Sequence, residues 1–379
     1  MKPQYLAALC ASFALPVFDV AAQSAAVPSP VAIYGILDVG VEYLTKVGPS
    51  GTGLFRMPGN TSSIPSRLGF RGNEDLGGGL SAVFTLEMGI APDTGALNQG
   101  GRLFGRQAFV GLASPWGTVT LGRLHSMYFF AGQDAEVLGA TSIGIGAIDA
   151  YIPNARHDNA IGWRGRFGAW DLGATYSRGR DTVNAGPSPA GTNCPGESPG
   201  DSQACRAYSV MAKYNTPGWG ATLAFDRQRG RTLGAAPDTV FGGLNSSVKT
   251  DERLTVNAYV MLGSSKVGAG VIRRNNDGLA AAPRSNLWFL GVSHPVTPQT
   301  TVAAEVMGLR FPGASQRNST MLAALVNHQL SRRTAIYGQI GRINNGSAAI
   351  TSLSGAQAGS NPLPGVGQSG INVGIRHVF

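Results

Sequence analysis

Charge is scarce in this chain. Asp, Glu, Lys and Arg together make up only 13% of its 379 residues, where a soluble protein of this size carries about 25%. Long apolar runs are missing too. Beyond the first two dozen positions no stretch approaches the roughly 20 consecutive apolar residues that a membrane-spanning helix needs. Histidines are few and dispersed, at His125, His157, His294, His328 and His377. None sits at His-Glu-x-x-His spacing, and histidines so dispersed do not make the clustered catalytic groups that nucleophilic or acid–base chemistry requires. No cofactor fingerprint is present. The chain carries a formal charge of +9, but its basic residues are scattered, and Arg332-Arg333 is typical of the short runs. Such scatter argues against a nucleic-acid-binding face. These absences speak against an enzyme, a metalloprotein and a helical membrane protein.

The N-terminus reads as an export leader. Lys2 supplies a positive start, an apolar segment runs from Tyr5 to about Phe18 with Pro16 inside it, and Val20-Ala21-Ala22 forms a small-residue cleavage site. Residues 1–22 are therefore assigned to a signal peptide and 23–379 to the mature domain. Losing Lys2 and Asp19 with the leader leaves the charge at +9. Of the three cysteines, Cys10 falls in the leader, preceded by Leu9 and too early for lipid attachment. Cys194 and Cys205 lie in a Gly/Pro/Ser-rich segment. In an oxidising compartment a local disulfide between them is the leading expectation, with two free thiols as the alternative.

The chain does contain alternation, and 54 glycines. From Val31 to Leu44 the odd positions are Val31, Ile33, Gly35, Leu37, Val39, Val41 and Tyr43, while Asp38, Gly40 and Glu42 fall between them. That is period two, with one apolar face and one acidic face. The pattern returns at Ser81–Ile90, Trp170–Ser177, Leu254–Leu262 and Ile371–Phe379. Such segments are long enough for tilted strands to cross a bilayer. Short turns at 74–78, 114–116, 216–218 and 295–299 contrast with long polar loops at 46–63, 91–101, 125–155, 179–205, 229–250, 275–284, 311–317 and 344–369. Eight long loops and seven short turns give sixteen strands, an even number, with both termini on the short-turn side. The reading is an all-β transmembrane antiparallel barrel, closed because lipid cannot satisfy a bare strand edge. Secreted soluble sandwiches and propellers also alternate. They do not explain the loop asymmetry, nor a chain that ends in mid-pattern on Phe379, on the apolar side with Ile371, Val373 and Ile375.

At this point the sequence resembles the general porins of Gram-negative outer membranes, in particular their neisserial and β-proteobacterial branch. The matching stretches are Ile33–Gly40, Ser66–Gly72 with Glu74–Leu80, Gly105–Leu112, Trp116–Arg123, and the ending Gly374–Phe379. The match is densest before residue 125. The resemblance implies a homotrimer in the cell outer membrane, in contact with lipid and lipopolysaccharide, whose third external loop folds into the lumen. It implies passive diffusion of small hydrophilic solutes and ions. It also makes Phe379 the signal read by the barrel assembly machinery, although Val378 departs from the basic penultimate residue common in this branch.

A porin's site is a constriction whose charged side chains set a field across a narrow aqueous path. Alternation puts Arg67, Gly69 and Arg71 on the luminal face and Leu68 and Phe70 on the other. Glu87 lies on the polar face of its own segment. The family pattern makes the Arg106-Ala108-Val110 face luminal and matches Arg67 and Arg106 to the basic cluster on the wall, with Arg156 as a third member. The alternative is that these arginines only solvate the wall away from the narrowest point. Across the pore, Asp134 and Glu136 in loop 3 are the expected opposing acids, with Asp149 also in that loop; capping of the loop's own turns is the competing role. An excess of arginine over nearby acid predicts anion preference, because a low-dielectric channel focuses small imbalances. The rival functions are a solute-specific channel, a barrel enzyme and an adhesin. Loops of ordinary length and the lack of a sugar-type aromatic ladder favour general diffusion.

Overall fold

The computed structural model describes residues 31–149, 151–181, 193–194, 196–231, 244–354 and 359–379; the leader assigned to 1–22 lies outside them. Sixteen strands make up the wall. They are β1 (Ala32–Val47), β2 (Arg67–Gly77), β3 (Leu80–Gly89), β4 (Gln107–Ser114), β5 (Gly117–His125), β6 (Arg156–Phe167), β7 (Trp170–Asp181), β8 (Ala207–Asn215), β9 (Trp219–Arg229), β10 (Thr250–Leu262), β11 (Ser265–Asn276), β12 (Arg284–Pro295), β13 (Thr300–Arg310), β14 (Ser319–Gln329), β15 (Thr334–Asn345) and β16 (Gln368–Val378). Each pairs antiparallel with its sequence neighbour, and β16 returns to β1 from Ile36↔Val378 to Leu44↔Gly370. Two short extended pieces, Thr52–Arg56 on β1 and Asn193–Cys194 on β7, belong to loops.

Closure satisfies every strand edge, which is what makes a sheet tolerable in lipid. The terminal residue takes part. Phe379 donates its N–H to the Gly35 carbonyl at 3.0 Å and accepts from Gly35 N–H at 2.9 Å. On the other edge of β1 the ladder to β2 ends at Ile36, and Ser66 continues it by side chain: Asp38 N–H donates to Ser66 Oγ at 2.9 Å and that hydroxyl donates to the Asp38 carbonyl at 3.1 Å.

The strands are inside out relative to a soluble protein. On β10, Leu254 and Val256 are 43% and 55% exposed, while Thr255 and Asn257 between them are each 3% exposed. An apolar face left open by the chain itself is one whose partner is hydrocarbon, with the polar face turned to the lumen. The expected alternation of Ser81–Ile90, Trp170–Ser177, Leu254–Leu262 and Ile371–Phe379 falls on β3, β7, β10 and β16.

The main apolar cluster lies where residues 126–155 meet the luminal face of the wall. Ile143, Ile145 and Leu138 of this loop are buried with Leu44, Met307, Met321, Ile343 and Leu353. The loop opens with α1 (Met127–Ala131), where Ser126 Oγ accepts Phe129 N–H, and later forms the short turn α2 (Ile145–Ile148). Outward from β5, Tyr128 N–H donates to Ser209 Oγ on β8, and Val137 N–H donates to Glu305 on β13. Ser142 N–H donates to the Ser62 carbonyl of the first loop, while Asn372 on β16 donates to Ser142 Oγ. At Gly268 on β11 the loop comes so close that a Cβ would lie 1.8 Å from the Ala135 carbonyl oxygen, so only glycine fits there.

Candidate pore constriction

Four guanidinium groups gather on the inner wall of β2–β6. Glu87 on β3 is their centre. Its Oε1 accepts Arg106 Nε at 2.7 Å, its Oε2 accepts the Tyr34 hydroxyl at 3.0 Å, and Arg67 Nε lies 3.9 Å away. Arg156, at the start of β6, is buried and donates through Nε to the Arg106 carbonyl at 3.0 Å and through Nη1 to the Asn154 carbonyl at 3.2 Å. Arg123 donates through Nε to the Gly105 carbonyl at 2.7 Å and ion-pairs with Asp158. His125 stacks on Phe129 at 3.8 Å beside them. These four cations gather around two carboxylates, Glu87 and Asp158, and Arg102 also lies within electrostatic reach of Arg123. Backbone carbonyls supply part of what the guanidinium donors need without cancelling their charge.

Arg67, Arg106, Arg156 and Glu87 are brought together. Arg71 is not. It shares the luminal face, but it stacks on Tyr34 at 5.2 Å, nearer the short-turn rim, and among the described residues it forms no ion pair.

The face expected as Arg106-Ala108-Val110 is corrected by the register. Glu87↔Gln107 and Thr85↔Phe109 place Gln107 and Phe109 on the luminal side, and Val110 is 58% exposed toward lipid. Arg106 still reaches the lumen because it precedes the strand, in a bend tied by its N–H to the Glu87 carbonyl at 3.0 Å.

Arg123 escaped sequence reading for a related reason. Luminal Thr118 and Thr120 on β5 predict an outward residue 123 by strict alternation. The β5–β6 register slips between Gly122 and Leu124, where Gly122 has φ +136° and Asn159 opposite has φ +48°. Bulges of this kind re-aim side chains near functional sites. The available signal was the glycine directly before an arginine.

The loop acids go elsewhere. Asp134 accepts Lys213 Nζ at 2.7 Å on β8. Glu136 is buried, accepts the N–H groups of Leu138 and Gly139, and sits beside Glu305. It therefore caps its own turn, and neither acid touches the arginine cluster. Burial and the neighbouring Glu305 raise the Glu136 carboxyl well above the ordinary range. Asp149 behaves oppositely. Burial alone would raise it, but Arg253 at 3.1 Å and Arg274 hold it below the usual value. Cys194 and Cys205 are joined by a disulfide.

A closed barrel with an arginine-lined lumen is the geometry of a diffusion channel, and comparison with known proteins agrees. The sequence pattern of the Gram-negative porins matches residues 6–348. The chain belongs to the Gram-negative porin family. Outer membrane porin protein 32 of Delftia acidovorans is 31% identical over 375 residues, which cover 95% of this porin and 97% of that one. Major outer membrane protein P.IA of Neisseria meningitidis serogroup C is 42% identical over 72 residues, 19% of this chain and 18% of its own. Among solved structures, an anion-selective porin from Comamonas acidovorans superposes with TM-score 0.74 at 25% identity, covering 93% of this chain and all 100% of that one. A trimer form of OmpT of Vibrio cholerae, at TM-score 0.62 and 13% identity over 93% of this chain and 99% of that one, shares the fold. This porin forms a channel in the outer membrane.

Proposed function

We infer that this porin is an anion-preferring general diffusion channel, without catalytic activity, that works as a homotrimer for small hydrophilic solutes and ions. The supporting observation is the imbalance at Arg67, Arg106, Arg123 and Arg156, where four charges gather around Glu87 and Asp158. In a narrow aqueous path walled by low dielectric, such a surplus attracts anions and repels cations. The segment 126–155 acts as the constriction loop opposite this cluster. The anion selectivity of the Comamonas acidovorans porin and the trimer form of the Vibrio cholerae protein favour the same reading. Lipopolysaccharide and lipid surround the apolar belt, and Phe379, paired with Gly35 at the seam, is the residue offered to the assembly machinery.

Reversal potentials across a planar bilayer under a salt gradient test this directly. The expected sign is that of anion current, shifted toward zero by Arg67→Gln with Arg106→Gln while heat-modifiable gel mobility persists. Cation current from the unmodified protein refutes the reading.

A further inference from the structure

Below the arginine cluster, toward the short-turn rim, the lumen widens into a cavity of about 760 Å³ that reaches from Ser114 and Pro115 of the β4–β5 turn up to His125. A simple aqueous vestibule would be lined by hydroxyls and amides. This one also presents Phe109, Leu124, Met127 and Phe130, apolar groups on the water-filled side of the wall.

Cations border the same surface. Arg164 lies 4.2 Å above the Phe130 ring while held by Asp171 through Nε at 2.8 Å. Arg166 also leans on Asp171, at 3.5 Å. Arg71, by contrast, forms no ion pair among the described residues. Three cations therefore border the cavity, and two of them, Arg164 and Arg166, share Asp171.

The register turns this composition into a site. Arg71 on β2 is opposite Thr85 on β3, and Thr85 is opposite Phe109 on β4. The three side chains form one row across the luminal face, spanning two strand spacings, roughly 10 Å. The row offers at one end a guanidinium that stacks on Tyr34 and has no ion pair among the described residues, a hydroxyl in the middle and an aromatic ring at the other end. Phe130 of the loop faces the same space.

We propose that the Arg71–Thr85–Phe109 row is a binding subsite for small aromatic carboxylates on the short-turn side of the constriction. The carboxylate meets Arg71 and the ring rests between Phe109 and Phe130. Ring-on-ring contact adds to apolar burial, and a guanidinium pairs well with a carboxylate. Inorganic anions and short aliphatic acids gain only the charge contact. The subsite deepens the anion-preferring reading, on which it rests, by naming a class of solute that dwells in the pore.

The test is single-channel current in potassium chloride with sodium benzoate or sodium acetate added, at equal concentration, on the short-turn side. Benzoate is expected to reduce the current saturably, and acetate to leave it unchanged. Phe109→Ala and Arg71→Gln should each raise the half-blocking benzoate concentration by about three- to tenfold, the scale of one lost ring or charge contact. Equal responses to benzoate and acetate in the unmodified protein overturn the subsite, and so does undiminished block in Phe109→Ala. Ion preference measured on the same membrane keeps the two ideas apart. Anion preference without benzoate block removes the subsite alone. Benzoate block with cation preference removes the anion reading and supports the subsite.

Discussion

The two sides of this lumen use the same kinds of residue for different ends. On β2–β6 arginine outnumbers acid, and the surplus charge is held by backbone carbonyls. On β8–β16 the cations Arg253 and Lys213, which touch the constriction loop, are each paired with acids. Arg253 pairs with Asp149 at 3.1 Å and Asp251 at 2.8 Å, and Lys213 pairs with Asp134 at 2.7 Å. A charge spent on a partner contributes little to the field in the pore, so the proposed anion preference rests on one wall while the other fastens the loop. Buried pairs suit fastening, because removing one member strands the other.

The largest effect is expected where that fastening is deepest. Arg253→Ala takes from buried Asp149 the cation that binds it and removes the guanidinium over the Tyr151 ring, 4.5 Å away, while Asp251 keeps Arg274 at 2.8 Å. Losing one member of a buried pair costs about 3–5 kcal/mol, here taken mainly from attachment of the loop. Strong open-channel noise and a lower temperature for loss of compact gel mobility are expected. A quiet channel with unchanged selectivity would break the comparison between the walls.

On the other wall, Arg123→Gln should lower anion preference about as much as Arg67→Gln, without added noise. An unchanged reversal potential would mean that the bulge at Gly122 does not deliver this charge to the pore. Residue 123 also shows what sequence reading could and could not reach. Arg67 and Glu87 sit in regular strands, where side chains must alternate, so their luminal placement was legible. Arg106 and Arg123 lie at a bend and at a bulge. Alternation fails at such points, and nothing local marks them except a glycine. Alternation correctly put Arg71 on the luminal face but could not tell how far along the pore it lies.

A smaller effect is expected from pH. Because Glu136 is raised in the folded loop, its contribution to attachment is fully present below the ordinary glutamate range and is lost as pH rises through the raised value. Deprotonation then sets it against Glu305. Channel noise should increase toward alkaline pH in the unmodified porin and stay flat in Glu136→Gln. Noise that grows on acidification instead would remove this carboxyl pair from the fastening. The smallest effect belongs to the disulfide. Alkylation should add mass at Cys194 and Cys205 only after reduction, with conductance unchanged, since both cysteines lie in the connection between β7 and β8 and not in a wall strand.

By itself the sequence determined the barrel. Period two with long and short connections in turn admits one way to satisfy lipid, water and backbone together. Tertiary structure alone decided the inside. Asp134 and Glu136 looked free to face the arginines, yet they point into the opposite wall, where Lys213 and Glu305 wait. Val137 meets Glu305 across 168 positions of chain. No local pattern records such a meeting. The partner of a loop residue is chosen by where closure brings the far strands, and a barrel must be complete before its lumen has two sides.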